Sequence, residues 1–309
     1  MGYKMDYETF RQEMKKLVEE GLQEKGDYSC SWQPVHKNNV TKTALRIMEK
    51  GSRVSIMAYL DLPYQDYLKG QPLSAISREI IRLNTEKEFP DISTKQFSDY
   101  GEMKGKLRLR LVGREHNEAY LEEGPYRVHP MGAEILYAEL EKTGEGRMGF
   151  HVTHEHLADW GIPEQEAFDT ALENSQREEP IWFQSLAGRI ASTLLWEDPG
   201  EGPVSKNEMY VLSNQSKDHG AAVLLYPAVP EELHRKMQGD YYILPSSVHE
   251  VIILSKETDF TPAALRDMVV EINQEVVSLE DRLGNDVYEF QGRTGTLQKC
   301  KIPEKERTR

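Results

Sequence analysis

The chain offers few of the features that make a sequence easy to read. It holds two cysteines in 309 residues, Cys30 and Cys300, far apart and without metal-ligand spacing around them. No disulfide framework is expected, and both thiols read as buried or incidental side chains in a reducing compartment. No apolar run approaches the ~18 residues of a membrane-spanning helix. The longest runs, Gly220 to Tyr226 and Val251 to Leu254, have the length of strands. Met1 to Asp6 carries no apolar secretory core, and Asp6 stands where a myristoylation pattern needs Ser or Thr. Basic charge is also scarce: 38 Lys and Arg against 52 Asp and Glu leave a net charge of −14. Phosphate backbones require a basic footprint, so general nucleic-acid binding is not expected. These absences together point to a cytoplasmic protein with no membrane partner.

What is present is a well-patterned chain, long enough to bury one large domain or two lobes without a disulfide or metal staple. Its charge is segmental. Residues 1–150 sum to about −1 and 151–309 to about −13; within the latter, 151–200 carries about −8 and 291–309 about +4. Phe10, Met14, Leu17, Val18 and Leu22 recur at helical spacing and predict a helix over 6–24. Strands are expected at 28–35, 42–48 and 53–60, with Asn38-Asn39 at the first turn, and a helix at 72–86. Lys106 to Leu111 alternates basic and apolar residues, which predicts a strand with one apolar and one basic face. Residues 129–140 read as a further helix, and 148–152 as a strand. Thr153 is placed to cap a helix over 154–160, and another helix follows over 164–174. Residues 196–208 form the clearest linker. Beyond it, strands at 209–213, 221–226, 241–244, 250–254 and 287–290 are interleaved with helices near 231–237 and after Thr261-Pro262. Strands that follow one another directly favour antiparallel pairing. The expectation is an α+β fold of mainly antiparallel sheets with packed helices in two lobes, 1–147 and 148–290, followed by a basic flexible tail, 291–309.

Several stretches resemble a family of uncharacterised proteins, a domain of unknown function found in anaerobic gut Firmicutes. They include Lys37-Asn38-Asn39 with Tyr59-Leu60-Asp61, Tyr64 and Tyr67, then Arg114 to Leu121 with Asn117, and Thr153 through Trp160-Gly161. Gly220-Ala221-Ala222-Val223-Leu224-Leu225-Tyr226-Pro227 and Leu244-Pro245-Ser246-Ser247-Val248-His249-Glu250 are the most specific. The resemblance implies a cytoplasmic bacterial protein, often in a mobile-element or phage context. It implies no activity.

Five patterns could carry chemistry, and each has a plainer reading. Gly144 to Gly149 fits G-x-G-x-x-G, but a dinucleotide site needs it between a strand and a helix. Here it follows an expected helix and reads as a turn. His151, His154 and His156 offer metal donors at a spacing that fits neither one helix face nor one strand face. No metal and no cofactor are therefore expected. Ser247 and His249 would share a strand face and are weak catalytic candidates, but no G-x-S-x-G elbow surrounds them. Tyr59, Asp61, Tyr64 and Tyr67, with Lys37, Asn38 and Asn39, combine flat aromatic area with amide donors and acceptors, a mix suited to a ligand or partner. Lys106, Arg108 and Arg110, flanked by Arg114 and Asn117, could meet an anion or form a solvated face.

The leading expectation is a binding or regulatory protein whose partner is a protein or small ligand. The alternatives are a hydrolase or transferase built from distant segments, for example His249 with a carboxylate elsewhere, and an acidic nucleic-acid mimic.

Overall fold

The computed structural model describes residues 4–51, 55–85, 97–143, 146–189 and 204–302. The chain divides into two compact units, 1–37 with 41–98, and 38–40 with 99–309. The boundary expected at 147/148 falls inside a strand, β7 below.

In the first unit, helix α1 (Tyr7–Gln23) begins where the Asp6 carboxylate accepts the Thr9 N–H at 2.8 Å. A cap of this kind satisfies one of the otherwise orphaned donors of a helix start. The apolar stripe of α1, Phe10, Met14, Val18 and Leu22, is fully enclosed. It packs with Leu45 and Ile47 of strand β2 (Val40–Glu49), Leu60, and Ile76, Ile80 and Ile81 of helix α3 (Leu73–Thr85). Each such side chain contributes roughly 1.5–3 kcal/mol on burial. Gly21 lets α1 approach α3, since a Cβ there would lie 2.4 Å from Ile81 Cδ1. Strand β1 (Tyr28–Lys37) pairs with β2, and β3 (Ile56–Ala58) lies on the other side of β2. Helix α2 (Asp61–Lys69), which the sequence reading passed over, completes the unit. Residues 53–54 of the strand expected over 53–60 lie outside the described residues.

The second unit contains two sheets. In the first, β4 (Leu107–Val112) and β5 (Tyr126–His129) flank the long β6 (Gly132–Thr143), which also pairs with β7 (Gly146–His151). The second runs in the order β13-β12-β10-β11-β9-β8. Its strands are β8 (Ile181–Ser185), β9 (Tyr210–Asn214), β10 (Tyr241–Pro245), β11 (Val251–Ser255), β12 (Tyr288–Gln291) and β13 (Thr296–Lys299). Helices α4 (His154–Trp160), α5 (Glu164–Glu178), α6 (Val229–Lys236) and α7 (Pro262–Glu275) complete it. The fold is α+β with mainly antiparallel sheets, as the pattern predicts.

Four local expectations are corrected. Residues 129–140 are not a helix but the hairpin β5–β6. Ala133, Ile135, Leu136 and Ala138 are all buried, so β6 is covered on both faces and shows no alternation. A short apolar run of that kind does not separate strand from helix. Residues 220–225 are not a strand but a 3-10 helix, buried along nearly its whole length. The stretch after 291 is not frayed up to 302: β13 pairs with β12, and the Cys300 N–H donates to Val287 O at 2.8 Å. Residues 303–309 of the expected tail, 196–203 of the expected linker and 144–145 of the glycine motif lie outside the described residues. Finally, β4 has no solvated basic face, because every residue from Leu107 to Val112 is buried.

Candidate metal centre

The antiparallel pairing of β9 with β11 sets Leu212 opposite Val251. The loop leaving β9 and the loop entering β11 therefore emerge side by side. Asn214, fully buried, organises the first loop. Its amide donates to Asp218 O at 2.8 Å, and its Oδ1 accepts from Ser216 Oγ and Asp218 N–H at 3.0 and 3.2 Å. Lys217 and His219 both take left-handed backbone angles, φ 56° and 51°. Such angles are costly for residues with a side chain and concentrate where structure is held for a purpose. Gly220 follows at a point where a Cβ would lie 2.1 Å from Ser213 Oγ. The second loop is fixed just as firmly. Ser213 Oγ donates to His249 O at 2.7 Å, Ala221 N–H to Val248 O at 3.1 Å, and Val248 N–H to Asp281 O at 2.8 Å.

These two loops bring Asp218, His219 and His249 together. Asp218 Oδ1 lies 2.8 Å from His219 Nδ1 and 3.2 Å from His249 Nδ1. One donor atom from each of the three residues falls within 4.8 Å of the others. In a tetrahedral zinc site the ligand atoms stand about 3.4 Å apart, given metal–ligand bonds near 2.05 Å. The two distances from Asp218 Oδ1 are already close to that spacing. On its far edge, His249 Nε2 lies 3.3 Å from Asp281 Oδ1. A carboxylate behind a ligating imidazole is the usual means of fixing its tautomer.

The electrostatics are under tension. Burial opposes ionisation of Asp218, yet the hydrogen bonds from His219 and His249 prevail and hold its carboxyl well below the usual range. Burial pushes His219 down to about 4, against the pull of Asp218, so its ring is neutral. His249 is raised by its bond to Asp218 and by Asp281, against burial. Its Nδ1 also faces the His219 backbone N–H at 3.1 Å. One nitrogen cannot meet both demands. Protonated, it bonds Asp218 and leaves the His219 N–H; unprotonated, it accepts that N–H and faces the Asp218 oxygen as a second acceptor. A cation between the three atoms would resolve the conflict with Asp218.

One family profile matches residues 7–292. The chain belongs to the Family of unknown function (DUF5688). No curated protein and no solved structure matches it. In this family member, the residues expected from sequence separate into distinct groups. Asn38, Asn39 and Asn117 do meet. Asn38 Nδ2 donates to Glu280 O and Arg282 O at 2.7 and 3.1 Å, and Asn39 Nδ2 to Leu279 O and Arg282 O at 2.9 and 2.7 Å. Asn117 accepts the Asn39 N–H at 2.6 Å and donates to Asn38 Oδ1 and Gly113 O, both at 2.8 Å. Their amide groups are engaged by backbone and by one another.

Tyr64 and Tyr67 pack on Phe10, with ring centroids 5.1 and 5.4 Å away. Their hydroxyls bond Met5 backbone atoms, and Asp61 accepts from Tyr7 Oη at 3.2 Å. Lys37 sits over the Tyr59 ring at 4.4 Å. Lys106 ends a 3-10 turn ahead of β4 and so is no part of a ladder. Arg108, 6% exposed, donates to Gly105 O and Leu107 O. Arg114 lines a cavity of about 350 Å³ with Asn39, His129, Arg282 and Asp286. Ser247 Oγ accepts the His249 backbone N–H at 3.1 Å, so it is turned to the main chain and not to the imidazole.

The other candidates disperse. Among the described residues both ring nitrogens of His151 are buried and unpaired, its ring lying tilted against Tyr120; His156 closes the capping box of α4 with Thr153, and exposed His154 lies 3.6 Å from Glu164. Cys30 and Cys300 have thiols pushed up to about 12 by burial. Residues 146–149 of the glycine motif belong to β7, a strand and not a helix start. Of the cluster itself, the sequence reading found His249 alone. Asp218-His219-Gly220, an acid and an imidazole set against a glycine, was the available signal; Asp281 gave none.

Proposed function

We propose that this protein binds one divalent transition-metal ion through Asp218 Oδ1, His219 Nδ1 and His249 Nδ1, leaving coordination positions open for a small ligand. The observation that carries the proposal is the convergence of three donor atoms within 4.8 Å on two loops pinned by backbone hydrogen bonds. Two imidazoles and a carboxylate suit zinc and its first-row neighbours. Three protein ligands rather than four are the pattern of sites that keep a position for water or substrate. The protein is on this reading a small-ligand binder, and hydrolysis by a metal-polarised water is the reaction the centre is equipped to support.

A metal-free acid–base reading draws on the same geometry, since His249 lies between Asp218 and Asp281. One experiment separates the two. Cobalt(II) titrated into metal-stripped protein should give a visible d–d spectrum that saturates at one equivalent and is displaced by zinc. A featureless titration, with zinc heat indistinguishable from buffer, would leave only the acid–base reading.

A further inference from the structure

Arg110 sits in the middle of β4 and is 6% exposed. A guanidinium carries five N–H donors in its plane, and burying it without partners is costly. Its neighbour on the same strand face, Arg108, meets two carbonyls. Arg110 meets none: among the described residues its guanidinium makes no hydrogen bond and no ion pair. It lies on the Tyr137 ring with its central carbon 3.7 Å from the centroid. Stacking occupies the flat face and leaves the edge donors to be met by something else.

What lies near Arg110 follows from the fold. Strand β4 packs on the 3-10 helix 220–225, which begins directly after His219. Arg110 is near enough to Asp218 and His219 for its charge to act on both. Glu179 and Asp218 lie in its field as well.

We propose that Arg110 is an anion-binding residue of the metal site: its unpartnered edge grips an oxyanion, a carboxylate or phosphate group, of the ligand that reaches the metal held by Asp218, His219 and His249. This rests on the metal reading for the second contact only. It assigns a ligand class, a small anion, to a protein whose own net charge is −14. It also accounts for a buried cation that the surrounding protein leaves without a hydrogen bond. The planar fork of arginine matches either oxyanion in two-point fashion.

The test uses the full chain, zinc-loaded and metal-free, titrated calorimetrically with inorganic phosphate and separately with acetate. At least one probe should bind zinc-loaded wild type with a millimolar or tighter Kd, and the tighter of the two names the oxyanion. Arg110→Met should weaken that probe tenfold or more while zinc stoichiometry stays at one. Arg110→Lys, which keeps the charge and loses the fork, should weaken it several-fold. The lysine variant carries the test if the methionine variant fails to fold by circular dichroism. Equal binding by wild type and a folded variant, or binding of neither probe to wild type, overturns the proposal. If wild type takes up no zinc but still binds a probe more tightly than the Arg110 variants, the metal reading fails and the Arg110 site stands.

Discussion

Two polar constellations in the second unit are built alike and end differently. The asparagine group, Asn38, Asn39 and Asn117, and the histidine–aspartate group, Asp218, His219, His249 and Asp281, both join distant segments. In the first, amide donors and acceptors find carbonyls, N–H groups or one another at 2.6–3.3 Å. In the second, one imidazole nitrogen faces two incompatible demands, and the buried guanidinium of Arg110 has no hydrogen bond among the described residues. The contrast separates structural polarity from functional polarity. A buried group whose bonding capacity is filled stabilises the fold, whereas one left over is available to a ligand.

Breaking each constellation should give different signatures. The largest effect is expected from His219→Ala, which leaves two ligands. Metal affinity should fall on the order of a thousandfold, about 4 kcal/mol, as one share of a typical site energy. An unchanged cobalt titration would remove His219 from the centre. Next, Asn117→Ala, at a position 1% exposed, strands the Asn39 N–H and the Asn38 carbonyl. Urea denaturation should show a loss of about 3 kcal/mol, with metal affinity unaltered in the folded protein. Loss of metal with retained stability would reverse the two assignments.

Asp281→Asn keeps a hydrogen-bond acceptor but removes the charge behind His249, and should cost about tenfold in metal affinity. The smallest effect concerns His151, outside both groups. Burial pushes its ring down to about 4, from 6.5 for a free histidine. Between those values the unfolded chain binds a proton that the folded one refuses, so stability falls as pH drops from 6.5 to 4 and is fully present above 6.5. His129, pushed down to about 4 as well, adds to the same slope. His151→Leu should flatten the curve of urea midpoint against pH, and an unaltered curve would place the acid sensitivity elsewhere.

Much of the fold was legible because periodicity reports burial on one face. Phe10, Met14, Val18 and Leu22 mark α1 because the other face of that helix meets water. Periodicity fails where both faces are covered, as in 129–140 and 220–226, because apolar residues then follow no period. It fails too at 291–302, where a hairpin holds together with few apolar residues. The site was less legible for a different reason. Asp218, His219, His249 and Asp281 span 64 positions; the pairing of β9 with β11 joins the first three, and the Val248 N–H to Asp281 O bond adds the fourth. Arg110 was visible as a basic residue, but its isolation in a buried strand depends on what packs around it. The asparagines attracted attention as recognition residues because amides that bind a ligand and amides that bind carbonyls are written with the same letter.

The asparagine group has a consequence in time. Residues 38–40 belong to the second unit although the chain on either side of them belongs to the first. Asn38 finds its acceptor 242 positions further along, at Glu280. At ribosomal speeds of 5–20 residues per second, the hairpin tip is made roughly 12 to 50 s before its acceptors exist. Throughout that interval the nascent clasp has only Asn117 to close on. The bonds of Asn38 and Asn39 to Arg282 O can therefore form only after residue 282 has left the ribosome.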